Sequence, residues 1–512
     1  MYLREEDLIW IASGDQGDSL GQGQEPIYLL PKMLTRHGLV TGATGTGKTT
    51  TIKVMAEAMS EMGTAVFMAD IKGDVTGLCK PGDPSEKISE RVAQMGIKDF
   101  SFTGYPVQMF DVYGQKGIPV RTTVSSMGPT LLARILGLND TQTGVLQIIF
   151  KVADDNGLLL LDFKDLRSMV QFAGENAKSF TTQYGNITTA SVGAIQRSLL
   201  ALESAGADRF FGEPELDLSD WLTQDTQGRG AINILDCVTL FQNPILYSTF
   251  LLWMLSELYE MMPEVGDLDR PKMVFFFDEA HLLFNDAPKA LLQKIEQIIR
   301  LIRSKGIGIF FITQNPADIP NSVLTQLGNK VQHALRSYTP NDQKAIKAAA
   351  ASFRPNPAFS SEEAIVSLAT GEALISALDE KGAPLMVQRG FILPPRCNFG
   401  VAEPELLAQV IQGSPLYNKY AQSYDRYSAF EALGEQAARQ EQQRAQDAQA
   451  AAEQKEQAQR EKAQAAATRP TAAKPKAKST SALDKALTSS LSQIGRSVSR
   501  ELVRGLFGTM RK

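Results

Sequence analysis

Hydrophobic residues along this chain form short continuous runs in some regions and follow a helical spacing in others. Six continuous runs predict strands at 37–41, 64–70, 231–237, 272–279, 306–314 and 331–337. Two later runs, at 371–378 and 384–392, predict strands that close the sheet. Because these runs are continuous rather than alternating, we expect an α/β fold with a mainly parallel sheet that is covered on both faces.

Between about residues 75 and 225 the pattern changes to apolar positions at helical spacing. This spacing is clearest at 129–138, 144–157 and 192–206, and it predicts a mostly helical insertion within the domain that holds the sheet. The segment 1–36 is rich in Gly and Gln and is too short for an independent domain. We therefore expect one core domain over residues 37–430, with the insertion at about 75–225.

The C-terminal part of the chain has a different composition. Residues 431–480 are polar and rich in Ala and Gln, and 435–468 contain no Leu, Ile or Val, so we expect a solvated helix or a disordered linker. In 481–512 apolar residues recur every three to four positions and basic residues outnumber acidic ones. This pattern predicts a basic amphipathic helix that docks on the protein's own oligomer or on a protein partner, or that binds a membrane surface or a nucleic acid.

Composition limits the class of protein. The 512 residues include 43% hydrophobic residues and three widely spaced cysteines, which argues against a disulfide framework or a zinc site. The N-terminus does not look like a signal peptide, and no run of 18 apolar residues occurs. These features predict a soluble protein with a cytoplasmic location. The net charge of −5 argues against a general nucleic-acid coat protein but leaves room for a local basic patch.

The chemistry begins with the string GATGTGKT at 42–49, which fits the phosphate-binding loop pattern G-x-x-x-x-G-K-[ST]. It follows a predicted strand and precedes a predicted helix over 49–63, whose N-terminus favours anions. Lys48 can neutralise charge between the β- and γ-phosphates of ATP, and the Thr49 hydroxyl can ligate Mg²⁺. The expected nucleotide-binding residues are Gly42, Ala43, Thr44, Gly45, Thr46, Gly47, Lys48, Thr49 and Thr50.

Two acids end the apolar run in MVFFFDEAH, at 273–281. Asp278 at the end of the strand can hold Mg²⁺ through water. Glu279 points differently and can orient and deprotonate the attacking water. A second acid directly after the Mg²⁺ acid is typical of hydrolytic ATPases rather than of switch GTPases.

Further polar residues lie near strand ends. Gln314 ends the strand at 306–314 and can contact the γ-phosphate or the attacking water, although a structural role at the strand end is an alternative. Arg300 and Arg303 lie one turn apart, and Arg303 is the better candidate for an arginine finger supplied to a neighbouring subunit; a solvated basic face is the alternative. Asp70 and Asp74 lie near the nucleotide or cap a turn.

Five segments taken together resemble the HerA–FtsK branch of P-loop ATPases, and most closely bacterial HerA-like ATPases of the YjgR type. They are GATGTGKT, ADIKGD, FFFDEAH, IRLIRSKGIGIFFITQNP and GEALIS with a following Pro, and the resemblance covers about residues 25–430. It implies a P-loop NTPase fold of the RecA/FtsK type, a homo-hexameric ring driven by ATP and Mg²⁺, and movement along double-stranded DNA. By position it assigns the phosphate-loop pair to Lys48 and Thr49, the Mg²⁺ and catalytic acids to Asp278 and Glu279, the polar sensor to Gln314 and the boundary arginine to Arg303.

The chain departs from HerA in one respect. HerA carries a β-barrel ahead of the ATPase core, whereas only about 36 residues precede the first predicted strand here, so a nuclease partner is not expected. Two hypotheses follow: a ring ATPase that translocates on DNA, and a nucleotide-gated scaffold that acts on a protein partner or membrane surface through 481–512. The string DEAH also occurs in superfamily-two helicases, but no second lobe with their arginine motif follows.

Overall fold

The computed structural model describes residues 8–14, 25–204, 206–285, 289–336 and 339–467. The chain divides after Gln436 into a large unit and a small one. Of the small unit, the described part is 437–467, which continues a long helix. Within the described ranges no helix is both long and apolar enough to cross a membrane. The three cysteines are not joined in disulfides.

A twelve-stranded sheet runs through the large unit, in the order β2-β1-β12-β11-β10-β3-β9-β8-β4-β7-β5-β6. The strands are β1 (Ile9–Gly14), β2 (Pro26–Leu29), β3 (Gly38–Thr41), β4 (Ala65–Asp70), β5 (Val107–Asp111), β6 (Ile118–Pro119), β7 (Ile232–Asp236), β8 (Met273–Phe277), β9 (Ile307–Thr313), β10 (Asn329–Gln332), β11 (Glu372–Ser376) and β12 (Gln388–Ile392). From β10 to β6 every pair is parallel, whereas β11, β12, β1 and β2 continue the sheet with antiparallel pairs. The α/β class and the mainly parallel sheet are confirmed.

The helices cover both faces of this sheet. They are α1 (Lys48–Glu61), α2 (Glu86–Gln94), α3 (Val124–Ile135), α4 (Asp140–Asp155), α5 (Phe163–Glu175), α6 (Ala177–Tyr184), α7 (Thr189–Ser204), α8 (Pro244–Met261), α9 (Lys289–Leu301), α10 (Asn321–Leu324), α11 (Pro340–Ala351), α12 (Ser361–Ser367), α13 (Pro404–Gly413), α14 (Tyr417–Tyr420) and α15 (Ala429–Ala467). One apolar core joins α3 to α8 with one face of the sheet, and a second joins α1, β1 and β12 with the other. Because both faces of the strands are buried in these cores, the strands are continuously apolar rather than alternating.

The sheet is wider than the sequence pattern predicts. The segment 1–36 contributes β1 and β2, although the first strand was expected at residue 37. The range 75–225 contains β5 and β6 as well as helices: α2 precedes these two strands, and the continuous series of helices begins at Val124. β2 and β6 have only four and two residues, and β1 and β5 pair with β12 and β7, which lie far away in sequence. Local periodicity therefore misses them.

The segment after α13 fastens the helical insertion. The Arg121 side chain donates to the Tyr420 carbonyl oxygen (2.8 Å), and the buried Asp165 carboxylate accepts from the Phe430 amide (3.0 Å). Helix α15 begins in this contact region, and beyond it residues 441–463 are exposed. The polar segment that starts at 431 is helical as far as Ala467 and exposed over 441–463, while 468–480 and the segment 481–512 lie outside the described residues.

Candidate nucleotide site

The phosphate loop connects β3 to α1 at the carboxyl edge of the parallel strands. Gly42, Gly45 and Gly47 all have positive φ (153°, 76° and 119°), the conformations for which glycine is suited. A Cβ at Gly42 would lie 2.5 Å from the Cβ of His333, so this glycine is also required for close packing. The loop is tied to the strand beside it, since the Ala43 amide donates to the Ala334 carbonyl oxygen (2.9 Å). The predicted loop and helix therefore form where the motif places them.

Lys48 reaches back over this loop. Its Nζ donates to the carbonyl oxygens of Gly42 (2.6 Å) and Ala43 (3.1 Å). Burial lowers the pKa of Lys48, and the charge of Lys72 lowers it further, while Asp278 and Glu279 raise it. The Lys48 amine therefore interacts with the charges of both acids while it is hydrogen-bonded to two carbonyl oxygens of the loop.

The two acids lie at the end of β8, as the sequence predicts. The Asp278 carboxylate accepts from the Glu279 amide (2.9 Å), and the buried Tyr247 hydroxyl donates to the Asp278 carbonyl oxygen (2.8 Å). Burial raises the pKa of Asp278, and the positive charge of Lys72 opposes that rise. Glu279 has a left-handed backbone (φ 46°, ψ 46°), which explains why the two neighbouring acids point in different directions.

Gln314 and Glu279 are brought together by the pairing of β8 with β9. The Gln314 amide donates to Oε1 of Glu279 (3.1 Å). The other oxygen, Oε2, is buried without a hydrogen-bond partner and lies 3.4 Å from Nδ1 of His281. A buried carboxylate oxygen that accepts no hydrogen bond lowers the stability of the fold, unless a bound molecule supplies the missing donor. Glu279 is thus held by Gln314 through one carboxylate oxygen, while the other oxygen faces His281 and accepts no hydrogen bond.

The oxygen donors near the loop fit a magnesium ion. Oγ1 of Thr49 donates to Oδ2 of Asp74 (3.3 Å), so a hydroxyl and a carboxylate already meet at the first turn of α1. The Asp278 carboxylate is close enough to influence the pKa of Lys48. Mg²⁺ is usually held by one or two carboxylates together with substrate phosphates, and within the described ranges no cluster of three or more His, Cys, Asp or Glu side chains forms a separate metal centre.

The two remaining acids separate in the structure. The buried Asp70 carboxylate accepts from the amides of Gly73, Asp74 and Val75, so it shapes the turn after β4. Burial raises its pKa to about 6. Of the two roles the sequence left open, Asp70 has the turn role, whereas Asp74 lies beside the Thr49 hydroxyl.

The arginines do not lie in this site. Arg303 precedes β9, at the opposite end of the strand from Gln314, and its Nη2 lies 3.6 Å from Oδ1 of Asp267. Arg300 is exposed on the preceding turn. The structure of one chain therefore brings Lys48, Thr49, Asp278, Glu279 and Gln314 together and leaves Arg303 at the other edge of the sheet.

His333 packs against the phosphate loop, although no motif in the sequence indicated a role for it. Its Nε2 and the Thr51 hydroxyl are 2.8 Å apart, and its Nδ1 lies 2.9 Å from the Glu372 carbonyl oxygen. Burial lowers its pKa from 6.5 to about 4. His333 directly follows β10, at the same edge of the sheet as the phosphate loop, whereas the sequence pattern placed it inside the predicted strand at 331–337.

Known proteins resemble this chain in sequence. Residues 17–512 match the family described as Helicase HerA-like C-terminal. A relative from Sulfurisphaera tokodaii, the DNA double-strand break repair helicase HerA, is 21% identical over 354 residues, which cover 67% of this chain and 62% of that protein. The chain thus spans less than two thirds of the length of this relative.

Solved structures with a similar arrangement share little sequence with the chain. Plasmid coupling protein TrwB in complex with ADP and Mg²⁺ is 13% identical, with a TM-score of 0.49 over 76% of this chain and 92% of that one. VirB4 of Thermoanaerobacter pseudethanolicus is 16% identical, with a TM-score of 0.45 over 75% and 96%. The family match, which covers nearly the whole chain, carries the assignment. The chain belongs to the HerA-like family and is a P-loop NTPase of the HerA/FtsK class.

Proposed function

We propose that this protein is a Mg²⁺-dependent ATPase that works as a homo-hexameric ring and translocates on double-stranded DNA. The observation that supports hydrolysis most directly is the buried Glu279 carboxylate, held by the Gln314 amide at 3.1 Å and lying at the same sheet edge as the phosphate loop. Buried carboxylates and strained backbone conformations are concentrated at functional sites, which supports a catalytic role for Glu279.

The site residues divide the work of phosphoryl transfer. The loop amides and Lys48 hold the β- and γ-phosphates, and Thr49 with Asp278 would hold Mg²⁺, with Asp74 beside them. The metal, when bound, neutralises the charge that develops on the β- and γ-oxygens. Glu279 takes a proton from the attacking water. At the same time the water oxygen bonds to the γ-phosphorus, and the bond between the γ-phosphorus and the ADP oxygen breaks. Gln314 keeps the carboxylate pointed at the water.

Arg303 is proposed to act in the neighbouring subunit. It lies at the opposite edge of the sheet from its own phosphate loop, so a single chain cannot bring it to the γ-phosphate. In a ring whose subunits are arranged head to tail, such a residue can face the site of the next subunit. An arginine supplied in this way is worth about 10³–10⁵ in rate in related phosphoryl-transfer enzymes.

The DNA component rests on the family and needs its own test. The HerA relative is named as a DNA repair helicase. We would measure phosphate release by the full chain with and without duplex DNA, and the mass of the assembly in solution. A six-subunit species whose turnover rises with duplex DNA supports the translocase. ATP hydrolysis that is indifferent to DNA contradicts it and favours a switch that acts on a protein partner or a membrane surface.

Arg303 is tested in the same assay with Arg300→Ala as its matched control. Both residues are arginines and lie one turn apart. Arg300 is exposed, so its removal controls for the loss of a positive charge on this helix turn. We expect Arg303→Ala to assemble and to lose hydrolysis, while Arg300→Ala keeps both. Full activity of the assembled Arg303→Ala protein would contradict the assignment.

A further inference from the structure

The polar groups around the phosphate loop are arranged unevenly on its two sides. Asp278 and Gln314 follow β8 and β9, and Asp74 follows β4, all on one side of β3. On the proposed function, these groups serve the γ-phosphate and its metal. A triphosphate in the loop therefore directs its γ-phosphate toward β9 and β8, and its base lies on the other side, toward β10 and β11.

On that other side, Gly371 lies directly against the loop. Its amide donates to the Thr46 carbonyl oxygen (2.9 Å), and a Cβ at Gly47 would be 3.1 Å from the Cα of Gly371. Gly371 itself has a φ of 78°, and a Cβ at this position would lie 3.2 Å from both terminal nitrogens of Arg91. The Arg91 guanidinium is thus separated from the phosphate loop by Gly371 alone.

Arg91 is placed there by α2 and has an unusual environment for an arginine. Its Nη2 donates to the Gly371 carbonyl oxygen (3.2 Å), and its Cζ lies 5.2 Å from the centre of the Phe391 ring. Burial lowers the pKa of Arg91. The carboxylate whose charge opposes this shift, Glu372, is engaged by Arg389 (2.5 Å). Across the described part of the chain, Arg91 has no ion-pair partner.

A guanidinium that lies over an aromatic ring offers a planar, positively charged surface. Arginine stacks on flat π-systems on both faces, and stacked bases contribute strongly to nucleotide affinity. A partly buried cation that makes no ion pair is costly in the absence of a ligand. We propose that the base of the bound nucleoside triphosphate packs on the Arg91 guanidinium, with Phe391 behind it. This proposal rests on the proposed function and names the residues that recognise the nucleoside half of the substrate.

The test compares two ligands that differ in whether they carry a base. The affinities of Arg91→Ala for ATP and for inorganic tripolyphosphate are measured by calorimetry with Mg²⁺, in the full chain carrying Glu279→Gln so that ATP is not consumed. We expect the affinity for ATP to fall about tenfold, and the affinity for tripolyphosphate to change less than twofold. Lys87→Ala is the matched control, because Lys87 is exposed one turn earlier on α2; it should leave both affinities unchanged.

Each other result has a defined meaning. Equal losses for both ligands would overturn the proposal, because Arg91 would then act by supporting Gly371 and the loop. An unchanged affinity for ATP would overturn it as well. Phe391→Leu keeps an apolar side chain behind the guanidinium and serves as a second test variant if Arg91→Ala does not fold. A few-fold loss of affinity for ATP, with the affinity for tripolyphosphate unchanged, would support packing of the base on Arg91. Lys48→Ala should weaken both ligands, and an unmodified site that binds neither contradicts the proposed function itself.

Discussion

The backbone of Glu279 offers a test of the site that does not depend on turnover. Its φ and ψ of 46° put a non-glycine residue in the left-handed region, which costs about 1–2 kcal/mol relative to the ordinary helical region. Strain of this kind persists where the surrounding structure enforces it, and it is concentrated at functional sites. We therefore expect the catalytic acid to be kept at the expense of stability.

Two substitutions isolate this strain. Glu279→Ala and Glu279→Gly both remove the carboxylate and its contact with Gln314, and they differ only in the Cβ at the strained position. Glycine removes the cost of about 1–2 kcal/mol but adds about 0.4–1 kcal/mol of chain entropy in the unfolded state. The Glu279→Gly protein should therefore be more stable than Glu279→Ala by about 0.5–1 kcal/mol. At an unstrained position the order is the reverse.

The assay is urea unfolding of both variants, with Ala280→Gly as the control. Ala280 is buried next to Glu279, has no positive φ and begins a short 3₁₀ helix, so glycine should destabilise it by roughly 1 kcal/mol. Both Glu279 variants should also hydrolyse ATP at about a hundredth of the wild-type rate or less, since a general base contributes about 10²–10⁴. A Glu279→Gly protein that unfolds at lower urea than Glu279→Ala would refute the strained geometry.

Three further predictions concern other parts of the site. Arg303→Ala should hydrolyse ATP at about a thousandth of the normal rate. Mixing this variant with Glu279→Gln subunits should restore part of the activity, because some subunit interfaces then combine an intact arginine with an intact acid. Mixed rings that recover no activity would contradict a role of Arg303 in the neighbouring subunit. Tyr247→Phe removes the hydroxyl that donates to the Asp278 carbonyl oxygen (2.8 Å), so it should lower the free energy of unfolding by about 1 kcal/mol. It should also reduce kcat more than it changes KM. An unchanged urea midpoint would show that this hydrogen bond does not contribute to stability. Burial lowers the pKa of His333 from 6.5 to about 4, so the stability that its neutral form contributes is complete above pH 6.5 and is lost as the pH falls toward 4. The stability advantage of the wild type over His333→Asn should then shrink by about 3 kcal/mol between pH 7 and pH 4, and an advantage that does not vary with pH would argue against a buried neutral histidine.

The parts of the site that follow from sequence are those encoded in continuous segments. The phosphate loop at 42–49 and the acids Asp278 and Glu279 each lie in a short string whose residue types have a chemical reason, and the structure places them at one edge of the sheet. The strands β3, β4, β7, β8 and β9 were predicted for the same reason, because strands buried on both faces are continuously apolar.

The parts that sequence missed depend on strand order. The contact between Gln314 and Glu279 exists because β8 and β9 are neighbours, and His333 packs under the loop because β10 lies beside β3. Arg91 reaches Gly371 across a separation of 280 residues. No local pattern encodes such pairings, and the same limitation hid β1 and β2, which pair at the edge of the sheet. The role of Arg303 depends on a second subunit and stays a prediction.

In the proposed mechanism, Glu279 is required for hydrolysis of the nucleotide but not for its binding. The most direct test measures phosphate release and ATP affinity for the wild type and for Glu279→Gln in the presence of Mg²⁺. We expect the variant to bind ATP as tightly as the wild type and to release phosphate at about a hundredth of the wild-type rate or less. A Glu279→Gln protein that hydrolyses ATP at the wild-type rate, or a wild type that releases no phosphate even with duplex DNA, would contradict it.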